Sequence, residues 1–435
     1  VKKYVLIPLL IFPVMIFASS NSAFLALYNS GLNQQMPAYQ SATIQLVQAQ
    51  NALYSLTSIF VPTLSLTTQA AGVTLGASGF VAENPSLDVN LGMLNLYSTQ
   101  IGFALPLNLK SLNFNAPELS ISRNLIVEDQ VNIMQAKYAY SNALWSVQNA
   151  QWSYMITLAQ NIFNWHYYNE MVSTYSQEVN TLQNIYNSIS PLNQTQQNTA
   201  YQQLLAAQSS LANYKNSLET IPPLPNYTPY STEVYNEALS YVSSMTSNLS
   251  TNVNINDVVS KRADVKALEY QYESYKDAAN LWFSPFIPNP TITFTVPLNN
   301  LSGWQISIGL NFQLLNGGVN VIQSQQILTN VQVGQETLQN ATTTDISALK
   351  GLFLKQKALQ ISLTTAQNNV QTALQNFQTA QALYQKGLES FDDYTLANLS
   401  YQQALIGEEN VQQQILVNEI QIMQTEGLPF GGEGI

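Results

Sequence analysis

The amino-acid sequence predicts an α+β membrane protein built from a duplicated unit of helix, β-hairpin, long helix and returning helix, whose strands form a barrel only when several chains assemble. Three observations predict it. A strand-like hexamer occurs twice, as PTLSLT at 62–67 and PTITFT at 290–295. Beyond each hexamer and its hairpin runs a very long helical stretch with alanines every seven residues. Only 9% of the 435 residues are charged, against about 25% in ordinary globular proteins, and Gln, Asn, Ser and Thr fill the deficit. Uncharged polar side chains keep a long surface wet without strong fields, which suits an extended helical protein better than a compact charged one.

Charge and composition exclude several classes. The 14 basic and 25 acidic residues leave a net charge of −11, and no basic stripe exists to follow a phosphate backbone, so nucleic acid is not a partner. With no cysteine there is no disulfide framework, no thiolate metal site and no lipid-attachment residue. At the N-terminus, Lys2 and Lys3 precede the apolar run YVLIPLLIFPVMIFA and then SSNSA. That order is the order of a secretory signal peptide over 1–20, with Ala18 and Ser20 spaced for cleavage near Asn21. The run is short of the ~20 apolar residues that a spanning helix needs, and no later segment reaches that length.

The first repeat, 21–249, opens with helix-favouring residues from about Ala23 to Ser58. Strands are expected over about 62–82 and 86–108. In the second of these, Leu87, Val89, Leu91, Met93, Ile101, Phe103, Leu105 and Leu107 occupy odd positions, and the intervening ones are mostly polar or small. Period two with one apolar face is a strand signature. A long helical hairpin is expected over about 117–220, turning at YNSISPLNQ, and then an equatorial segment over 221–249, whose prolines in IPPLPNYTPYST stop the returning helix.

The second repeat, 250–427, has strands over about 290–297 and 303–315, a helical hairpin over about 319–426 and a tail at 428–435. Ile306, Ile308, Leu310, Phe312 and Leu314 alternate with Ser307, Gly309, Asn311 and Gln313. In the two long helices, Ala136, Ala143 and Ala150, and again Ala366, Ala373 and Ala380, recur every seven residues with larger side chains between them. This is a coiled-coil seam that lets helices approach closely; at 1.5 Å per residue each helix would reach on the order of 100 Å. The returning helices share YQQLL at Tyr201 and YQQAL at Tyr401. Four strands per chain cannot close a barrel, and lipid does not tolerate bare sheet edges. The sheet must therefore close by oligomerisation: two chains would leave little lumen, and three would give twelve strands around a water-filled hole.

Three local features in this order carry a resemblance. They are RADVKALEYQYESYKDAANLWFSPFIPNPTITF from Arg262, LNGG at Leu315 to Gly318, and Tyr384, Gly387, Leu388, Ser390 and Asp393 in the pattern YxxGLxSxxD. Nearly the whole chain after its first twenty residues resembles the TolC-type outer membrane efflux duct family. The resemblance implies a homotrimer with a twelve-stranded barrel in outer membrane lipid, continued by an α-helical barrel across the periplasm. It also implies an exit duct for efflux or type I secretion that works with a periplasmic adaptor (membrane fusion) protein and an inner-membrane pump. The first turn departs from the pattern, with Asn187 opposite Gly387 and Asn193 opposite Asp393.

No catalytic constellation, cofactor motif or metal-ligand spacing is present, so no enzymatic activity and no cofactor are expected. The one histidine, His166, sits among aromatics in FNWHYYN and reads as structural. The second helical turn is different. No acid occurs from Ile346 to Leu388 or from Tyr394 to Gly407, yet Glu389, Asp392 and Asp393 crowd the turn between. Ser390 or Asp392 can cap the returning helix, where the helix dipole favours acids. In a trimer the three acids would also form a ring at the periplasmic mouth, a pore constriction that attracts cations. Gly387, Leu388 and Ser390 resemble the family's adaptor-docking segment; a plain helical hairpin, with Gly387 left-handed and Leu388 packed back, accounts for them equally well. The competing functions are a secreted coiled-coil surface protein and a periplasmic adaptor, neither of which forms a pore. The alternating hairpins argue against the first and the duplicated unit against the second.

Overall fold

The computed structural model describes residues 23–430 apart from 59–62, 70–72, 77–78, 83–85, 97–98, 109–112, 115–116, 125–127, 191–192, 248, 251–252, 287–289, 299–302 and 310–317. The expected signal peptide and most of the tail lie outside the described residues, as do Leu315 to Gly317 and the second half of the last expected strand. The chain divides into two compact units, one of 1–40, 148–255 and 347–435 and the other of 41–147 and 256–346.

The sheet lies in the second unit. Its strands are β1 (Thr63–Gln69), β4 (Ser86–Leu96), β5 (Thr99–Asn108), β6 (Asn113–Phe114), β7 (Glu118–Asn124), β8 (Thr291–Pro297) and β9 (Gln305–Gly309), while β2 (Val73–Gly76) and β3 (Gly79–Ala82) form a hairpin of their own. The strands pair antiparallel in the order β1-β4-β5-β7-β8-β9, with β6 beside β5. β7 against β8, with Ile121 opposite Phe294, joins the two repeats.

Three expectations are corrected here. The single strand expected over 62–82 is β1, ending at Gln69, and beyond it β2 and β3 pair only with each other among the described residues. The strand expected over 86–108 is a hairpin, β4 and β5, with Leu96 opposite Thr99. Alternation could not reveal the fold-back, because odd positions pair with odd ones from Leu87↔Leu107 to Leu91↔Phe103 and keep the same phase on both arms. A bulge at Met93 then shifts the register, so that the even leucines Leu94 and Leu96 pair with Ile101 and Thr99. The long helix expected from about 117 starts at Asp129. Residues 118–124, ELSISRN, alternate Leu119 and Ile121 with serines and complete the ladder to β8. Six strands therefore lie on the path of the sheet, where four were expected.

Helices carry most of the rest. The expected first helix is two, α1 (Ala23–Gln35) and α2 (Pro37–Thr57). Pro37 lacks an N–H, so it suits the first turn of a new helix, and Met36 O accepts from Tyr39 N at 3.0 Å. They are followed by α3 (Asp129–Ser188), α4 (Gln194–Glu219), α5 (Thr232–Thr246), α6 (Ile255–Lys261), α7 (Ala263–Ala279), α8 (Val319–Gln385) and α9 (Phe391–Glu426). No helix among the described residues is long and apolar enough to cross a membrane.

In the first unit, Phe24, Tyr28 and Leu32 of α1 pack with Trp152, Met155, Ala159 and Ile162 of α3, Ala238 and Val242 of α5, and Ile420 of α9. Trp152 Nε1 donates to Leu428 O at 2.8 Å, and Phe430 stacks on Tyr28 with ring centres 4.9 Å apart, so residues 428–430 are fastened to α1 and α3. Gly31 marks the closest approach: a Cβ there would fall 1.6 Å from the Tyr154 hydroxyl and 2.6 Å from Pro225. That hydroxyl is buried without a hydrogen-bond partner, and burial pushes its pKa up to about 12. The alanine layer of α3 is buried at Ala136, Ala143 and Ala150. Between α8 and α9 a polar layer interrupts the apolar seam, where fully buried Asn418 donates to Gln356 Oε1 at 2.8 Å and to Leu352 O at 3.2 Å.

In the second unit, Arg262 precedes α7 and is buried. Its guanidinium meets Asp264 at 2.6 Å and Asp345 at 3.2 Å, and lies 4.5 Å from the centre of the Trp145 ring. Burial raises the pKa of Asp345, and the Arg262 charge opposes that shift. The Arg-x-Asp motif thus ties α3, α7 and α8 together.

Candidate functional site

The sequence singles out the turn between α8 and α9, and local backbone chemistry builds it. α8 ends because Gly387 takes a left-handed conformation, φ 70°. Gly387 N donates to Tyr384 O at 2.9 Å and Leu388 N to Leu383 O at 2.9 Å. This pair of bonds is a Schellman motif and satisfies carbonyls that the helix end would otherwise leave open. Ser390 then caps α9: its Oγ accepts from Asp393 N at 3.0 Å and donates to Asp393 Oδ2 at 2.7 Å. Asp392 and Asp393 stand in the first turn of α9, where the positive end of the helix dipole favours them.

One part of the plain-hairpin reading does not hold: Leu388 does not pack back but is 72% exposed, next to Phe391 at 60%. What clamps the two arms is an aromatic ladder. Tyr384 stacks on Tyr394 at 5.3 Å, and Phe377 stacks on both Tyr394 and Tyr401, at 5.5 and 5.9 Å. Glu389 Oε2 is buried without a hydrogen-bond partner. Within one chain Ser390 and Asp393 touch, and Glu389 and Asp392 share the same tip.

The first turn is built differently. α3 runs on through Asn187 to Ser188, and Asn193 caps α4 by accepting from Gln196 N at 3.3 Å. Its cap stands three residues beyond the position that a 200-residue offset from Ser390 would give. Without a glycine at position 187, the helix continues through that residue.

His166 has a structural setting that sequence reasoning missed. Its ring stacks on Tyr235, 3.7 Å between centres, and its Nε2 lies 3.4 Å from Glu409 Oε1, which also accepts the Tyr235 hydroxyl proton. Gln413 Nε2 donates to the Tyr235 oxygen at 2.9 Å. The His166 hydrogen bond and the Tyr235 hydroxyl hold the Glu409 carboxyl below its usual range against the opposing effect of burial. Burial, and then the Glu409 hydrogen bond, push the Tyr235 pKa up. These residues lie up to 247 positions apart, as 166 and 413, and no local motif links them. Elsewhere in this unit, burial raises the Glu426 carboxyl to about 7. Among the described residues no group of His, Asp and Glu is placed to hold a metal ion.

No protein-family model and no curated relative matches the chain. Solved structures do match it along nearly its whole length. The Campylobacter jejuni CmeC outer membrane channel is 14% identical with a TM-score of 0.55, covering 95% of this chain and 87% of its own. The open state of the Neisseria gonorrhoeae MtrE outer membrane channel gives 14% and 0.55, covering 94% and 91%. The Vibrio cholerae outer membrane protein VceC gives 14% and 0.53, covering 94% and 96%. The chain has the fold of these outer membrane channels, the fold that its resemblance to the TolC-type ducts implies.

Proposed function

We propose that this chain is one protomer of a homotrimeric exit duct. In this reading it sits in outer membrane lipid and reaches into the periplasm, where it receives substrates from an inner-membrane pump through a periplasmic adaptor, for efflux or type I secretion. One observation carries the reading. A single antiparallel sheet drawn from both halves of the chain ends in two strands, β1 and β9, each paired on one side only among the described residues. Trp304, Ile306 and Ile308, in and beside β9, are 57 to 63% exposed. Open edges and exposed apolar side chains are what neighbouring copies and lipid would cover. The fold shared with outer membrane channels supports the same conclusion.

The tip of α8 and α9 would then lie at the periplasmic mouth. Three copies would bring Glu389, Asp392 and Asp393 into an acidic ring that constricts the pore and favours cations. Gly387, Leu388 and Ser390 would present the adaptor-docking surface, with Leu388 supplying exposed apolar area.

The test is conductance and ion selectivity of the purified protein in a planar bilayer, before and after Asp392→Asn and Asp393→Asn. A cation-selective conductance that loses selectivity in the double variant is expected. Unchanged selectivity would remove the constriction from this turn. Failure to insert from detergent would favour a coiled-coil surface or adaptor protein.

A further inference from the structure

α8 carries two seams. Along one, α9 covers the helix: Gln356 Oε1 accepts a hydrogen bond from Asn418 at 2.8 Å, and Phe377 stacks on Tyr401. Along the other, Gly351, Leu354, Ala358 and Ile361 alternate small with large at the 3 and 4 spacing of a coiled-coil seam, and all are exposed, Leu354 at 69% and Ile361 at 62%. Such a pattern leaves holes for a neighbour's side chains. Gly351 costs the helix stability relative to alanine, yet a Cβ there would meet nothing within 4 Å. Packing within the chain does not call for the glycine, and the space it leaves is open to a partner.

The loop between α4 and α5 supplies a matching projection. Tyr227 is 89% exposed, more than any other large hydrophobic side chain among the described residues. It stands at φ 53° beside Asn226 at φ 56°, a left-handed pair that is unfavourable for residues other than glycine. Asn226 Nδ2 fastens the turn to Ser30 Oγ of α1 at 2.7 Å. Loop and seam lie at one level of the first unit. Asn418 of α9 donates to Leu352 O of α8, and Gln424, further along α9, donates to Ser153 Oγ of α3. The next residue of α3, Tyr154, abuts Gly31, which also abuts Pro225 in the loop. Charge is complementary too: Lys350 and Lys357 flank the seam, Glu219 and Glu233 flank the loop, and all four are exposed. None of the four forms an ion pair among the described residues.

We propose that α8 of one copy receives the 221–232 loop of the next copy. Tyr227 seats between Leu354 and Ile361, over Gly351 and Ala358, and Lys350 and Lys357 face Glu219 and Glu233. Seam and loop are different surfaces, so the contact is head-to-tail and passes from copy to copy until a ring closes. The inference rests on the oligomeric duct reading and adds the surface by which its copies meet.

The test places the photo-crosslinker p-benzoylphenylalanine at position 227 of the full chain, irradiates the protein in its native membrane, and maps the adducts by mass spectrometry. The detergent-extracted protein is sized in parallel. Adducts at multiples of the chain mass, joined to residues 350–361, are expected. Lys350→Glu with Lys357→Glu should lower their yield by about fivefold or more, and adding Glu219→Lys with Glu233→Lys should restore it. An oligomer whose adducts map elsewhere, or form none, would overturn the proposal and leave the duct reading standing, as would loss of yield without restoration. An adduct with a different protein would overturn it in favour of a foreign partner for the loop. A chain that is monomeric by size and forms no adducts would overturn both.

Discussion

Ser390 and Asp393 are bonded twice: the serine Oγ accepts the aspartate backbone N–H at 3.0 Å and donates its own proton to Asp393 Oδ2 at 2.7 Å. The backbone bond is the cap of α9, and the side-chain bond holds the hydroxyl in the capping rotamer. Ser390→Ala should therefore cost about 1 kcal/mol, and the loss should be local. Hydrogen exchange is the measurement: the amide of Asp393 should exchange several-fold faster while amides in the core of the first unit keep their protection.

Leu388 separates docking from folding. With 72% of its surface exposed, Leu388→Glu should leave stability within about 0.5 kcal/mol of the native protein. If the tip docks an adaptor, the same change should markedly reduce capture of that adaptor by the assembled protein. Normal capture with normal stability would leave Leu388 as an incidental surface residue.

Arg262 carries the opposite expectation. Removing a buried cation leaves Asp264 and Asp345 facing each other without a counter-charge, and breaking such a group costs about 3–5 kcal/mol. Arg262→Met should lower the thermal midpoint accordingly. Arg262→Lys should rescue little, because an ammonium cannot reach both carboxylates in the planar geometry of the fork and also lie against Trp145. Full rescue by lysine would mean that charge alone matters there.

Glu426 predicts a pH dependence. Burial holds its folded pKa at about 7, against 4.5 when free. Below about pH 4.5 both the folded and unfolded states keep the proton, and the site costs nothing. As pH rises toward 7 the unfolded chain releases its proton first, so the fold loses stability; above 7 the penalty is complete. Glu426→Gln should thus match the native protein near pH 4 and exceed it by up to about 3 kcal/mol at pH 8. Denaturant unfolding at the two pH values measures the difference.

Much of this fold is legible in the sequence because its signals are periodic. Heptad alanines and alternating strands announce themselves over long windows, and Gly387 and Ser390 mark the second turn by their backbone and capping preferences. What escaped depends on parity and distance. Residues 86–108 keep one phase whether they run straight or fold back, and Met93 shows its bulge only once Gly102 is opposite Gly92. Residues 118–124 are too short to announce a strand without β8 as a partner. The Tyr235, Glu409 and Gln413 surroundings of His166 are assembled from two helices distant in sequence, and nothing local to any one of them points to the others.

The close approach at Gly31 ties the residue at position 31 to those at positions 154 and 225. Because the Tyr154 hydroxyl occupies the space that a side chain at position 31 would need, neither residue is free to change in the order that chance offers. Tyr154 must shrink, and Pro225 must give way as well, before Gly31 can grow. Chains that have drifted from this one should show small–large and large–small combinations at positions 31 and 154 and lack the large–large one, a correlation readable from sequences alone.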